Sequence, residues 1–173
     1  MRRRVVITGV GIISCLGNSY REVVESLKAG RSGIRLYPRW AELGLRTTVG
    51  GKIEGFEDCL QRADLTRKHI ASMPRATQYC AVAAKDALAD AGWEQDRASN
   101  DKTGCLVGAG VCCVRTIYEN SALLYVGKPR RISPYTIVRS MASSPSAGLA
   151  NLLHIKGRSY SISAACATSL HNI

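Results

Sequence analysis

The chain has 173 residues, of which 46% are hydrophobic and 21% are charged. This composition argues against disorder and predicts one globular domain, or a large part of one, with a hydrophobic core. The formal net charge is +11, but only 6% of the residues are aromatic and the basic residues are scattered, so the sequence favours an acidic protein partner over nucleic acid. The seven cysteines are odd in number and form no C-x-x-C pair, which argues against a disulfide framework or a zinc ribbon and indicates reduced thiols in a cytoplasmic protein.

The N-terminal segment superficially resembles a secretory signal, because three arginines precede the apolar run Val5–Ile7. Thr8 and Gly9 interrupt that run, and no small-residue cleavage site follows it. We therefore interpret Val5–Ile7 as a buried strand. Because no uncharged stretch reaches the roughly 20 apolar residues of a membrane helix, the sequence predicts no membrane association.

The first predicted helix begins after a capping box, in which Ser19 is followed three residues later by Glu22. Gly30 is the expected end of this helix, since glycine adopts the left-handed conformation of a helix C-cap. Residues 31–75 mix glycine, proline and charge with a short apolar pattern. They are predicted to be an irregular insertion that lies over the sheet.

The clearest helix is predicted over residues 76–91, where apolar side chains recur at helical spacing before Gly92. The apolar run Gly104–Gly108 then indicates a strand that is buried on both faces. Ser133-Pro134 and Ser144-Pro145 each predict the start of a short helix with small side chains, which permit close packing. Strands separated by helices predict an α/β fold with a mixed, mainly parallel sheet.

The candidate catalytic residue is Cys166, in the segment 157–171. A strand is expected to end and a helix to begin at this cysteine, where unpaired N–H groups and the helix dipole favour a thiolate. The small neighbours Ala165 and Ala167 leave room for a substrate. The alternative interpretation is a cysteine that is buried at a helix start and has no chemical role.

Four segments resemble the β-ketoacyl-acyl-carrier-protein synthases of the thiolase superfamily, especially their type I form. Residues 161–169, SISAACATS, resemble the active-site motif of that family. Residues 4–11 resemble its opening strand, residues 30–34 its first loop, and residues 141–143 the segment before the nucleophile. The resemblance covers nearly all of residues 1–173 and implies the first half of a layered αβαβα fold, which is incomplete at its C-terminal end.

The resemblance implies a decarboxylative condensation on Cys166. In that family an acyl group passes from acyl carrier protein to the cysteine, and the carbanion of decarboxylated malonyl carrier protein then attacks the thioester. The backbone N–H of the cysteine stabilises the oxyanion. The family uses no redox cofactor and no metal. Although Gly9-x-Gly11 resembles a dinucleotide loop, Ser14 occupies the place of its third glycine.

The family takes two histidines and a lysine from a second half that this chain does not contain. His171 would be rotated by about 140° from Cys166 on an α-helix and is therefore a poor general base. Surface or capping roles are expected for His69 and His154. We expect the isolated chain to be inactive, and the alternative to a complete enzyme is an acyl-accepting or carrier-binding subunit without decarboxylation chemistry.

Two basic clusters lie where the family presents positive charge to its acidic carrier protein. Arg67 and Lys68 begin one predicted helix, and Lys128, Arg130 and Arg131 precede another. The resemblance implies that both clusters bind the carrier, with charge setting the encounter rate and orientation. The alternative is an ordinary solvated basic surface.

Three residues match positions that line the fatty-acyl tunnel in the family, namely Val111, Cys112 and Met141. The family is expected to be a homodimer, with Met141 reaching the tunnel across the dimer interface. Val111 and Cys112 stand where type I relatives commonly have glycines, and their extra bulk would shorten or redirect the tunnel. Core packing is the alternative role of these two residues.

Overall fold

The computed structural model describes residues 4–173, in which helices dominate and strands are short. The four strands are β1 (Ile34–Leu36), β2 (Val49–Gly51), β3 (Cys105–Leu106) and β4 (Ser159–Tyr160). The eight α-helices are α1 (Tyr20–Lys28), α2 (Pro38–Glu42), α3 (Phe56–Arg62), α4 (Arg67–Ser72), α5 (Arg75–Asp90), α6 (Val114–Tyr125), α7 (Thr136–Ser140) and α8 (Ser144–Leu152). Short 3-10 helices span Gln95–Ala98, Pro129–Arg131, Ala165–Ala167 and Leu170–Asn172.

Helix α1 has the predicted ends. The Ser19 hydroxyl oxygen accepts a hydrogen bond from the Glu22 N–H at 3.2 Å, as in a capping box. The Glu22 carboxylate accepts from the Asn18 N–H at 2.7 Å, one residue before the partner that the motif predicts. Gly30 has a φ of +63°, so it ends the helix in the left-handed conformation that glycine tolerates.

Helices α5 and α8 pack together and form the centre of the core. Ala81 and Val82 of α5 are fully buried, and Leu149 of α8 is buried beside them. Between the helices, the hydroxyls of Thr77 and Ser144 lie 3.1 Å apart within hydrogen-bonding distance. The predicted close packing of small side chains is confirmed.

The predicted starts of α7 and α8 are confirmed to within a few residues. Helix α8 begins at Ser144, with proline in its first turn, where a missing N–H costs nothing. Helix α7 begins at Thr136, later than expected. Ser133 still organises the preceding turn, because its hydroxyl oxygen accepts from the Tyr135 N–H at 3.2 Å.

The strands form two separate pairs. Strands β1 and β2 are antiparallel, with Ile34 opposite Gly51. Strands β3 and β4 are parallel, with Cys105 opposite Ser159. Of the predicted strand Gly104–Gly108, the two residues of β3 are paired, because β4 offers a partner of the same short length.

Two predictions about the first 75 residues need correction. The buried strand predicted at Val5–Ile7 is wrong, since Val5 is 92% exposed and Ile7 86% exposed. A strand needs a partner for its backbone groups, and within residues 4–173 the four strands pair with one another. Residues 31–75 are not irregular throughout, because β1, β2 and α2 to α4 lie within them. That this segment is an insertion stays a prediction.

The segment after Ile7 crosses helix α5 at very short range. A Cβ atom on Gly9 would overlap the carbonyl oxygen of Ala87, and one on Gly11 would overlap that of Ala83. Only glycine permits such close contact between two backbones. In the described part of the chain, no helix is both long and apolar enough to cross a membrane.

Candidate active site

Cys166 is exposed and lies in the 3-10 helix Ala165–Ala167. The chain from Ser161 to Ala164 has no regular secondary structure, and the Ala167 N–H donates to the Ala164 carbonyl at 3.0 Å. An α-helix was predicted to begin here, and the structure instead has two short 3-10 turns. Most helical stability in proteins comes from packing of an apolar face, and Cys166 and Leu170 are exposed.

Ala165 gives the turn its unusual shape. Its φ is +47°, in the left-handed region that costs a non-glycine residue about 1–2 kcal/mol. Residues held in such conformations cluster at active sites, where surrounding contacts keep them in place. The strained residue directly precedes Cys166. Alanine carries no sequence signal for this conformation, so the sequence did not predict it.

Three polar contacts fix the turn against its surroundings. The Ser163 hydroxyl donates to the Ala109 carbonyl at 3.0 Å, and the Ala164 N–H donates to Thr168 Oγ1 at 2.8 Å. Ser161 Oγ lies 2.7 Å from the hydroxyl of Ser146 on α8. Ser161, Ser163 and Thr168 belong to the motif SISAACATS, but no role was predicted for them from the sequence, although hydroxyls that flank a turn commonly bond its backbone.

The loop 107–113 lies beside this turn. A Cβ atom on Gly108 would overlap the Ile162 carbonyl and the methyl group of Thr168. A Cβ atom on Gly110 would lie 3.4 Å from the carbonyl oxygen of Ala165, which is an ordinary contact. The structure therefore brings the segment before α6 to the backbone that carries Cys166.

The five predicted carrier-binding residues are exposed. Arg67 and Lys68 begin α4. Lys128 caps the 3-10 helix that contains Arg130 and Arg131. None of the five forms an ion pair with a described acidic side chain. Their positive charges are therefore available to a partner.

The sequence comparisons identify the family. Residues 2–173 match the family model described as "Beta-ketoacyl synthase, N-terminal domain". The chain belongs to the beta-ketoacyl synthase family. It is 42% identical over 175 residues to 3-oxoacyl-[acyl-carrier-protein] synthase 1 of Haemophilus influenzae, covering 99% of this chain and 41% of that protein. It is 36% identical over 173 residues to the protein of the same name from Escherichia coli K12, covering 99% and 42%.

The fold agrees with the family. A crystal structure of a beta-ketoacyl synthase from Burkholderia phymatum superposes with a TM-score of 0.83 at 31% identity, over 98% of this chain and 41% of that one. The thiolase-like α/β fold that the resemblance implied is therefore confirmed. The chain spans about two-fifths of the length of these relatives.

The structure gives the three predicted acyl-pocket residues different surroundings. Val111 is exposed, and Met141 is exposed at the C-cap of α7. Cys112 is partly buried, and this burial raises the pKa of its thiol, as does the neighbouring Cys113. The loop of Val111 and Cys112 lies beside the Cys166 turn, whereas Met141 lies on a separate element. Their role as an acyl pocket stays a prediction.

The three histidines of this synthase chain occupy helix ends and a surface turn. The His69 Nδ1 accepts from the Thr66 N–H at 3.4 Å, which completes a capping box and confirms a capping role. His154 follows the C-cap residue Leu153 of α8 and has a φ of +51°. His171 is exposed in the last 3-10 turn. The rotation predicted for an α-helix does not apply to it, because two short 3-10 turns connect it to Cys166.

Proposed function

We propose that this chain forms part of a cytoplasmic β-ketoacyl-acyl-carrier-protein synthase of fatty-acid biosynthesis, with Cys166 as its nucleophile. The Cys166 thiolate attacks the acyl thioester of the carrier, and the carrier thiol leaves. Malonyl carrier protein then loses carbon dioxide, and its carbanion attacks the enzyme thioester. The thiolate of Cys166 leaves, and the β-ketoacyl product is two carbons longer.

The single observation that carries this proposal is the exposed Cys166 on a strained, hydrogen-bonded turn. A thiolate is nucleophilic near neutral pH and is a good leaving group from a thioester. Within residues 4–173, the Cys166 N–H has no hydrogen-bond acceptor. This supports its assignment as an oxyanion donor, since such a donor must be free for the developing charge.

An acyl-accepting or carrier-binding subunit without decarboxylation chemistry is the second candidate. This second candidate would hold if the natural protein has no histidines other than His69, His154 and His171. His69 and His154 occupy helix ends and are therefore not placed to assist decarboxylation. Under the first candidate, two histidines and a lysine come from outside residues 1–173. The 173-residue chain alone should then not catalyse condensation, and the parent gene should encode these residues after Ile173.

Acyl carrier protein is the proposed macromolecular partner. Five exposed basic side chains without described acidic partners support this, namely Arg67, Lys68, Lys128, Arg130 and Arg131. The net charge of +11 would attract an acidic protein over distances of about one Debye length. The curated relatives at 42% and 36% identity are named for this carrier.

A homodimer is also proposed. Four apolar side chains of α6 and α7 are exposed to water, namely Ile117, Tyr118, Ile137 and Val138. An apolar surface of this kind marks a protein interface. Sedimentation of the full-length protein should give twice the chain mass, and Tyr118→Glu should shift it toward the monomer.

Acylation of the full-length protein tests the nucleophile. After incubation with a fatty acyl carrier protein, intact-mass measurement should show one acyl group on the wild type and none on Cys166→Ser. Cys15→Ser is the matched control and should still be acylated. After addition of malonyl carrier protein, a condensing enzyme should form a β-ketoacyl product, whereas an acyl-accepting or carrier-binding subunit should not. Acylation of the Cys166→Ser protein would contradict the assignment of Cys166 as the nucleophile.

A further inference from the structure

A cavity of about 360 Å³ is lined by side chains from α3 to α7 and from the residue before α6. Its charged lining consists of three arginines and two glutamates, namely Arg75, Arg115, Arg139, Glu57 and Glu119. A site with one more cation than anions favours an anionic occupant.

Two of the arginines are neutralised by the glutamates. Arg75 Nη2 lies 3.0 Å from the Glu57 carboxylate, and Arg115 Nε lies 2.6 Å from that of Glu119. Arg75 also donates to Gln78 at 3.3 Å. The Gln78 amide in turn donates to the carbonyls of Ile70 and Met73. Arg75 therefore binds Glu57 and Gln78, and Arg115 separately binds Glu119, so each glutamate already has an arginine partner.

Arg139 is the uncompensated member. It is partly buried, and its Nε is buried without a hydrogen-bond partner within residues 4–173. A buried charged donor without a partner is energetically unfavourable. The planar guanidinium binds a carboxylate through two parallel N–H groups. Arg139 lines the cavity, and its guanidinium has no acidic partner among the described residues, so its charge is open to such a group.

We propose that this cavity binds an organic carboxylate with a short apolar chain. Arg139 would hold the carboxylate, and Leu60 and Ile70, which also line the cavity, would contact the chain. One uncompensated positive charge matches a monoanion. The apolar wall distinguishes this ligand from inorganic phosphate, which would lose hydration there without a matching contact.

The cavity is distinct from the Cys166 turn but borders the predicted acyl-pocket segments. Arg139 stands two residues before Met141, and the lining residue Cys113 directly follows Cys112. Carboxylate binding here does not depend on the proposed condensation, because the unpaired charge of Arg139 is separate from Cys166. Its test is a binding measurement on the full-length protein.

The test is calorimetric titration with sodium hexanoate, with hexanol and inorganic phosphate as separate probes. Hexanoate should bind saturably. Hexanol should bind at least about tenfold more weakly because it lacks the carboxylate that Arg139 would hold, and phosphate should do so because it lacks the apolar chain. Arg139→Gln should weaken hexanoate binding at least about tenfold, and Arg139→Lys should retain part of it. Arg39→Gln, on exposed α2, is the control and should not change binding.

A second measurement needs no variant and locates the ligand. Hexanoate should slow the alkylation of Cys113 by iodoacetamide, while Cys15 reacts at an unchanged rate in the same peptide-mass experiment. The proposal is overturned by the absence of saturable binding, by equal affinity for hexanol or phosphate, by a folded Arg139→Gln variant with unchanged affinity, or by unprotected Cys113.

Discussion

The hydroxyl oxygen of Thr168 accepts a hydrogen bond from the backbone N–H of Ala164 at 2.8 Å. These two residues enclose the turn that carries Cys166. Thr168 is only 4% exposed, and its own carbonyl accepts from Asn172 Nδ2 at 2.6 Å. Because Ala165 between them has a φ of +47°, this bond holds a backbone that would otherwise relax. The buried hydroxyl of Thr168 thus helps to hold the turn that positions Cys166.

Thr168→Val should therefore impair Cys166 without removing it. Valine has nearly the same shape, but it leaves the Ala164 N–H without its acceptor, at a cost of about 1–3 kcal/mol. We expect slower acyl transfer to Cys166 in the full-length protein, measured by intact mass against time, and a lower free energy of unfolding. Thr168→Ser keeps the oxygen and should retain most of the rate. An unchanged rate in Thr168→Val would show that the bond does not position the thiol.

Gly108 and Gly110 should respond differently to alanine. A methyl group on Gly108 would lie 2.5 Å from Asn172 Nδ2 and would overlap the Ile162 carbonyl. Overpacking of this kind costs about 1–3 kcal/mol. On Gly110 the nearest atom, the Ala165 carbonyl oxygen, is 3.4 Å away. Urea unfolding should show a clear loss for Gly108→Ala and a change within about 0.5 kcal/mol for Gly110→Ala. Equal losses would contradict the close approach of the loop to the turn.

Features fixed by local contacts could be predicted from the sequence. Gly30 and Gly92 end α1 and α5 with φ values of +63° and +66°, because a helix C-cap depends on a few neighbouring residues. The strand predicted at Val5–Ile7 failed for the opposite reason. A strand depends on a partner that is distant in sequence, and an apolar run does not specify that partner.

The nucleophile could be predicted, but the environment around it could not. The motif around Cys166 is contiguous, so its resemblance to the family is visible in the sequence. The left-handed conformation of Ala165 and the contact of Ser163 with Ala109, 54 residues away in sequence, depend on tertiary structure. The unpaired Arg139 is likewise visible only once α3 to α7 surround it.

Burial of the interior thiols predicts a pH dependence of stability. Burial raises the pKa of the Cys80 thiol, and the neighbouring Cys112 and Cys105 add to the effect. Above the unfolded pKa of about 8.5, the unfolded chain releases this proton while the folded chain keeps it. The thiol thus contributes stability that is complete below that pH and is lost as the pH rises through the folded pKa.

We therefore expect Cys80→Ala to lose less of its free energy of unfolding than the wild type between pH 7.5 and about 10. Urea unfolding at both pH values measures this, and the comparison cancels the titration of all other groups. A loss in Cys80→Ala that equals the wild-type loss would argue against the raised pKa.

The basic cluster near α7 should separate carrier docking from chemistry. Reversing Arg130 and Arg131 to glutamate should slow acyl transfer from acyl carrier protein, because an acidic carrier is guided by charge. Transfer from a small acyl thioester should keep its rate, since such a substrate needs only access to Cys166. The measurement is the rate of Cys166 acylation with each donor in the full-length protein.

Charge reversal at a distant surface is the matched control for that pair of variants. Arg39 and Arg46 are also exposed, so changing both to glutamate alters the net charge by the same amount without touching either basic cluster. The control should slow carrier transfer less than the change at Arg130 and Arg131. High salt should reproduce the loss in the wild type, because at about 1 M ionic strength the Debye length falls to roughly 3 Å. Equal losses of rate with the carrier and with the small thioester would mean that Arg130 and Arg131 support the fold. An equal loss of carrier transfer in the control variant would mean that only the net charge of the protein matters.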